Sequence, residues 1–227
     1  MVVIGNKCFS KYFKEVFVIN PNENLACPVA SHVDMNLCVI DSTVFLPKGS
    51  TLKNIFSDYG YKVKFISEDL VKKYPFDARL NCKAVGNTVI LNRKTVSKDI
   101  LDYCVNTGKI IIDVPQGYAA CSTVALSETA FITSDKGIYN ALVNNGLNPL
   151  LIKEGYIEIE EYDYGFIGGA SGFVGDTLYF FGDISTHPDY EKIKTYLDKN
   201  NVKFKAFDGK LTDIGGVFDL KKIKKDV

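Results

Sequence analysis

The 227 residues contain 46% hydrophobic and 24% charged side chains, which permits a buried core and excludes an intrinsically disordered protein. Twenty-seven basic residues balance 27 acidic ones, unlike the basic excess of dedicated nucleic-acid-binding proteins, and no apolar run approaches the roughly 18 residues that span a bilayer. The six cysteines follow no metal-binding spacing, and the N-terminal segment lacks a signal peptide's apolar stretch. We therefore expect a cytoplasmic protein with free thiols and no bound metal ion, nucleic acid or membrane.

Four short stretches share one pattern and recur at intervals of about 45 residues. Each stretch begins with turn-forming residues and continues into β-branched and aromatic residues, as the second strand of a hairpin does. The stretches begin at Asp41, Gly86, Glu128 and Gly175, which we call the hairpin anchors.

Each hairpin anchor has a predicted strand before it, and a predicted helix and another strand after it. The strands before the anchors are 33–40, 78–85, 121–127 and 169–174. The predicted helices have apolar residues at i, i+3 and i+4, and they cover 51–60, 97–108, 135–146 and 187–200. The strands after these helices are 61–66, 109–114, 148–153 and 202–207. Gly60, Gly108 and Gly146 supply helix stops. The repeated unit is ββαβ.

The two ends of the chain contain the pieces of a fifth unit. Residues 211–220 resemble a lone first strand, while residues 2–4, a helix near 9–15 and residues 17–19 resemble the rest. A unit shared between the termini would close a ring and remove exposed sheet edges. The repeats therefore predict an α/β fold with pseudo-fivefold symmetry, in a single domain over residues 1–227.

The ring would bring equivalent positions of the units together at one end of a central channel. Seven residues before three of the anchors lie Asp34, Arg79 and Cys121, and the fourth equivalent position is Gly168. An acid, a guanidinium and a thiol make a plausible polar site. His32 precedes Asp34 by two residues, so on a strand both side chains would share one face.

Two of these segments resemble a known group of enzymes. Residues 32–46 (HVDMNLCVIDSTVFL) resemble the HxD strand and hairpin of the pentein-fold guanidine-modifying enzymes, namely arginine deiminases, dimethylargininases and amidinotransferases. Residues 116–126 (QGYAACSTVAL) resemble the stretch that carries their nucleophilic cysteine. The resemblance implies a five-bladed α/β propeller that acts on a small guanidino or amidino substrate without an organic cofactor.

The resemblance also implies roles for individual residues. Cys121 would be the nucleophile that forms a covalent intermediate, His32 the general acid and base, and Asp34 a guanidinium anchor. Arg79, which the repeat alignment adds, would lower the pKa of the Cys121 thiol or bind a substrate carboxylate. Further candidate substrate-binding residues are Asn36, Asn81 and Asp213.

The sequence also departs from the family pattern. The histidine unit comes first along the chain, and the nearest counterpart of a second acidic motif, residues 166–172 (FIGGASG), contains no acid. Asp213 would supply the missing carboxylate from the fifth unit.

A non-catalytic propeller that binds a small ligand or a protein is the alternative, with Cys121 as a buried structural thiol. The glycines of 166–172 fit a tight turn better than a phosphate loop, and the acidic segment 158–163 (EIEEYD) fits a solvated loop. A homo-oligomer is compatible with either function.

Overall fold

The computed structural model of the protein describes residues 1–223, which form five three-stranded sheets. The strands are β1 (Val2–Ile4), β2 (Val16–Val18), β3 (Cys38–Ile40), β4 (Thr43–Leu46), β5 (Lys62–Phe65), β6 (Lys83–Val85), β7 (Thr88–Leu91), β8 (Ile110–Asp113), β9 (Thr123–Ala125), β10 (Ala130–Thr133), β11 (Asn148–Leu151), β12 (Ser171–Val174), β13 (Thr177–Phe180), β14 (Lys203–Ala206) and β15 (Val217–Asp219). The helices are α1 (Lys7–Ser10), α2 (Val33–Asn36), α3 (Lys53–Asp58), α4 (Lys98–Asn106), α5 (Lys136–Asn144) and α6 (Tyr190–Lys199). Within residues 1–223, no helix has the length and apolar character needed to cross a membrane.

The sheets repeat one topology around a ring. In the first unit, β3 pairs antiparallel with β4, and β4 pairs parallel with β5 after a crossover through α3. Three further units repeat this order. In the fifth unit, β15 pairs antiparallel with β1, with Val3 opposite Phe218, and β1 pairs parallel with β2. The structure therefore confirms the five-bladed α/β propeller, whose last blade combines both ends of the described chain.

The middle strand of each blade carries much of the core. All four residues of β4, β7 and β10 are buried, because each strand has a partner on both sides and packs against its neighbours through β-branched and aromatic side chains. Three helices start at side-chain caps, namely α1 at Asn6, α4 at Ser97 and α5 at Asp135, whose carboxylate accepts the backbone N–H of Ile138 at 2.8 Å. The predicted stops Gly60, Gly108 and Gly146 all have positive φ.

The first strand of each unit lies innermost, and neighbouring inner strands contact each other in the pairs β3–β6, β6–β9 and β12–β15. The predicted first strands were too long, since only three or four residues of each pair with the short middle strand. The residues that precede the paired ones cross one end of the ring, where their side chains can form a site. The predicted helix near 9–15 was also misplaced, because α1 ends at Ser10.

Residues 33–36, predicted as a strand, form the short helix α2 instead. The Asn36 side-chain amide donates hydrogen bonds to the carbonyls of Ala30 at 2.9 Å and of His32 at 2.8 Å, which stabilises this turn. Residues two apart on a helix point in different directions, whereas on a strand they share a face. The expectation that His32 and Asp34 lie on one face was therefore wrong.

Candidate functional site

A cavity of about 250 Å³ lies where the segments preceding the inner strands meet. Every blade contributes one of these segments to its wall, through His32, Asp77, Cys121, Phe166 and Asp213. His32 and Cys121, the two residues predicted to be catalytic, thus line the same cavity. This volume fits a small ligand better than a drug-sized one.

His32 and Asp213 form a buried pair at one side of the cavity, with 3.7 Å between Nδ1 and a carboxylate oxygen. Burial raises the pKa of Asp213 to about 7 with help from the negative charge of Asp34, although the backbone N–H groups of Phe166 and Gly215 both donate to its carboxylate at 2.9 Å. Burial lowers the pKa of His32 despite the nearby Asp34. The imidazole is therefore neutral at pH 7 and can accept a proton.

Glycines allow the backbone to approach this pair closely. A Cβ at Gly169 would lie 1.9 Å from an Asp213 carboxylate oxygen, and a Cβ at Gly215 would lie 2.2 Å from the Cβ of His32. At Gly168, a Cβ would meet the carbonyl oxygens of Ala120 and Cys121 at 2.4 and 2.6 Å. The glycines of 166–172 thus serve close packing around the site, as the turn interpretation predicts.

Asn81 holds Cys121 in place. Its amide nitrogen donates to Sγ of Cys121 at 2.9 Å, and its oxygen accepts the backbone N–H groups of Ala120 at 2.7 Å and of Cys121 at 3.2 Å. Asn81 is almost fully buried and does not line the cavity. The structure therefore places this predicted substrate-binding residue behind the thiol, where it orients Cys121.

Burial raises the pKa of the Cys121 thiol well above the usual range, and the negative charges of Asp34 and Asp213 raise it further. The Asn81 donor lowers the pKa, but its effect is smaller.

Asp34, predicted as the guanidinium anchor, contacts Cys121 without lining this cavity. It lines instead a separate space of about 330 Å³ next to the inner strands, where Lys83 also lies. Its Oδ1 is buried and has no hydrogen-bond partner among the described residues. Because α2 replaces the predicted strand, Asp34 and His32 face two different cavities.

Arg79 and Asn36 also lie away from the cavity wall. The Arg79 guanidinium donates to the Thr95 carbonyl at 3.2 Å and lies 5.1 Å from the ring centroid of Phe76. Asn36 binds the loop that carries His32, as described above, and accepts a hydrogen bond from Asn22 at 3.1 Å. Of the predicted substrate-binding residues, only Asp213 lines the cavity.

The sequence reasoning missed Asp77, which lines the cavity and is only 6% exposed. Tyr118 donates its hydroxyl to Asp77 Oδ2 at 2.7 Å, while Asp77 Oδ1 is buried without a partner among the described residues. Burial raises the pKa of this carboxyl and outweighs the Tyr118 hydrogen bond. A signal existed, since Asp77 and Phe166 lie nine residues before their hairpin anchors, as His32 does.

The acidic segment 158–163, expected to be a solvated loop, lines part of the cavity. Ile159, Tyr162 and Asp163, followed by Tyr164, line the cavity that it was not expected to reach. A backbone bridge between Glu158 and Thr212 fixes the segment beside the fifth blade. The segment gives the cavity part of its aromatic wall and one carboxylate, Asp163.

A family model described as "Family of unknown function (DUF6873)" matches residues 6–218. No match was found among curated proteins.

Solved structures of guanidine-modifying enzymes share the fold. A mutant of DDAH from Pseudomonas aeruginosa complexed with citrulline is 9% identical with a TM-score of 0.55, over 85% of this chain and 74% of that one. SxtG, an amidinotransferase from Microseira wollei in the saxitoxin biosynthetic pathway, is 10% identical with a TM-score of 0.57, over 96% and 78%. The C. jejuni agmatine deiminase is 10% identical with a TM-score of 0.56, over 98% and 82%. These similarities confirm the predicted pentein fold.

Proposed function

The chain belongs to the DUF6873 family and has the pentein fold, and from this premise we propose that it is a cysteine-dependent hydrolase of a small guanidino or amidino compound. One observation carries the proposal. His32 and Cys121 come from different blades, yet both line one small cavity together with carboxylates. A nucleophile, a proton acceptor and anionic groups that bind a cation are the parts that such a reaction requires.

The proposed reaction uses these groups in two stages. The Cys121 thiol transfers its proton to the neutral His32 imidazole while Sγ forms a bond to the central carbon of the guanidinium. The bond from that carbon to one nitrogen then breaks, and the departing amine takes the proton from His32. Water next gives a proton to His32 and adds to the carbon, the C–S bond breaks, and the proton returns to the thiol. One C–N bond and one water are consumed, which yields an amine and a urea-type product.

Entry of the substrate would also activate the thiol. The carboxylates that raise the Cys121 pKa are the groups that a guanidinium or amidinium neutralises. When the cation is bound, its positive charge offsets the carboxylates, and they no longer disfavour the thiolate form of Cys121. Thiolate would therefore form chiefly when a cationic substrate is present.

We expect cationic chloroacetamidine to label Cys121 much faster than neutral chloroacetamide of similar size. The exposed residues Cys8 and Cys27 serve as internal controls, because no cavity surrounds them. The rate ratio at Cys121 should exceed that at Cys8 by about tenfold at pH 7, which corresponds to a thiol pKa lowered by one unit. Chloroacetamide labelling of Cys121 should be slow at pH 7 and should keep rising with pH into the alkaline range, since burial raises the pKa of this thiol. Peptide mass spectrometry after timed quenching measures both rates.

A His32→Ala variant should lose the preference for the amidine reagent at Cys121 but keep the labelling rate at Cys8. Equal rate ratios at the two cysteines in the unaltered protein would contradict the proposal, and so would unchanged amidine preference in the His32→Ala variant.

Asp77 takes the role of guanidinium anchor in this proposal, because its Oδ1 is buried in the cavity wall without a partner among the described residues. Asp77→Asn should reduce the chloroacetamidine preference at Cys121 by roughly tenfold or more, because it removes a charge-assisted hydrogen bond to the reagent. The asparagine oxygen can still accept the Tyr118 hydroxyl, so the fold should persist. Asp102→Asn on the exposed face of α4 is the matched control and should leave the preference unchanged.

A non-catalytic ligand-binding propeller is the second candidate, and the raised pKa of the Cys121 thiol favours it. In that case a cation would bind in the cavity but no C–N bond would break. Release of ammonia or amine from a panel of guanidino compounds separates the two functions, because only the hydrolase releases it in proportion to enzyme and time.

A further inference from the structure

We propose that the cavity selects guanidinium or amidinium compounds that carry no carboxylate. This inference rests on the proposed function, which supplies the cationic group of the substrate. It adds a requirement on the rest of the substrate, namely that it carries no negative charge. The residues that line the cavity and the acidic segment 158–163 each supply evidence for it.

Among the described residues, the wall contains carboxylates but no lysine or arginine. Asp77, Asp163 and Asp213 line the cavity, whereas no lysine or arginine of residues 1–223 does. Recognition of a substrate carboxylate normally uses a lysine or, in bidentate form, an arginine. A carboxylate in this cavity would lose its hydration and face like charges.

The basic side chains nearest in the fold are directed elsewhere. Arg79 does not line the cavity, and its guanidinium donates to the Thr95 carbonyl and packs against Phe76. Lys83 lies in the separate space beside Asp34. The sequence-based expectation that Arg79 binds a substrate carboxylate is therefore not part of this proposal.

The segment that borders the cavity is acidic. Segment 158–163 lines the cavity through Ile159, Tyr162 and Asp163, and it also carries Glu158, Glu160 and Glu161. Within residues 1–223, only Glu158 of these acidic residues has a cationic partner, Lys210. Uncompensated carboxylates on a segment that borders a low-dielectric cavity raise the local concentration of cations and lower that of anions.

The remaining wall is suited to an apolar or uncharged substituent. The side chains that form it are Val29, Met35, Tyr118, Ile159, Tyr162, Tyr164 and Phe166. Aromatic rings bind both alkyl chains and cations, and about 250 Å³ accommodates only a short substituent. A guanidine with a short alkyl or amide-bearing chain matches these walls.

The test compares 4-guanidinobutyramide with 4-guanidinobutyrate, which differ only in an amide or a carboxylate at the far end. Binding is measured by calorimetry on the Cys121→Ser variant, with Cys121→Ala as a second inactive variant, so that turnover does not interfere. We expect the carboxylate to bind at least about tenfold more weakly. Asp163→Lys should reduce this difference to roughly threefold or less, because it places a base on the wall. The Asp102→Asn control should not change it.

The outcomes separate this inference from the proposed function. Equal or tighter binding of the carboxylate compound contradicts the inference, and so does binding of neither compound. In those cases the chloroacetamidine labelling and the release of amine still test whether the protein is a hydrolase. Preferential binding of the amide supports the inference. If the unaltered protein then releases no amine from the amide or from any other bound guanidine, only the hydrolase is rejected.

Discussion

A Gly215→Ala variant should lose roughly 3 kcal/mol or more of unfolding free energy and should also lose the amidine preference of Cys121. Gly215 has a φ of +73°, where an L side chain is strained by about 1–2 kcal/mol. Its new Cβ would lie 2.2 Å from the Cβ of His32, so either the loop or the histidine must move, and such overpacking typically costs about 1–3 kcal/mol. Urea unfolding gives the loss of stability, and the ratio of the two labelling rates reports on His32.

Gly175→Ala is the matched control for this prediction. Gly175 has a similar φ of +64°, but a Cβ there meets nothing within 4 Å. It should therefore show only the backbone strain, with no change in labelling at Cys121. If the two variants lose the same free energy, or if Gly215→Ala keeps the amidine preference, then the close approach of Gly215 to His32 does not position the histidine.

The blades could be predicted from the sequence because their signals are local. The run Thr43–Leu46 is buried on both faces, and therefore reads as continuous apolar sequence wherever the chain forms a middle strand. Gly108 and Gly146 mark the helix ends by a conformation that is strained for other residues. Even the fifth blade could be assembled from the two ends, since residues 211–220 resemble the first strand of a unit and the N-terminal residues resemble its remaining two strands and helix.

The site could be predicted only in part, because its geometry depends on segments outside the regular strands. His32 and Cys121 were identified, yet the direction of Asp34 depends on whether 33–36 forms a strand or a helix. That choice is made by the Asn36 hydrogen bonds to the preceding loop, which have no periodic signature in the sequence. The position of segment 158–163 over the cavity likewise depends on tertiary contacts, and an acidic segment without periodicity resembles a solvated loop.

Asn81→Leu should lose about 2–5 kcal/mol of unfolding free energy, although it keeps the number and branching of the side-chain heavy atoms. The substitution leaves the buried N–H groups of Ala120 and Cys121 without their shared acceptor, and each unpaired group costs about 1–3 kcal/mol. The exposed Asn106→Leu on α4 is the control and should change stability by less than about 0.5 kcal/mol. Equal effects of the two substitutions in urea unfolding would contradict the role assigned to Asn81.

Asn81→Asp separates the structural role of Asn81 from its effect on the thiol. The aspartate keeps an oxygen for the N–H groups of Ala120 and Cys121, but it replaces the donor to Sγ with a second negative charge near Asp34. The Cys121 pKa should therefore rise further, and the chloroacetamide labelling curve should move to higher pH, since less thiolate exists at any given pH. A residue that merely packed behind Cys121 would leave this pH profile unchanged. A shift of the profile in Asn81→Asp, together with greater loss of stability in Asn81→Leu, would show that one amide both holds the loop and sets the protonation of the proposed nucleophile.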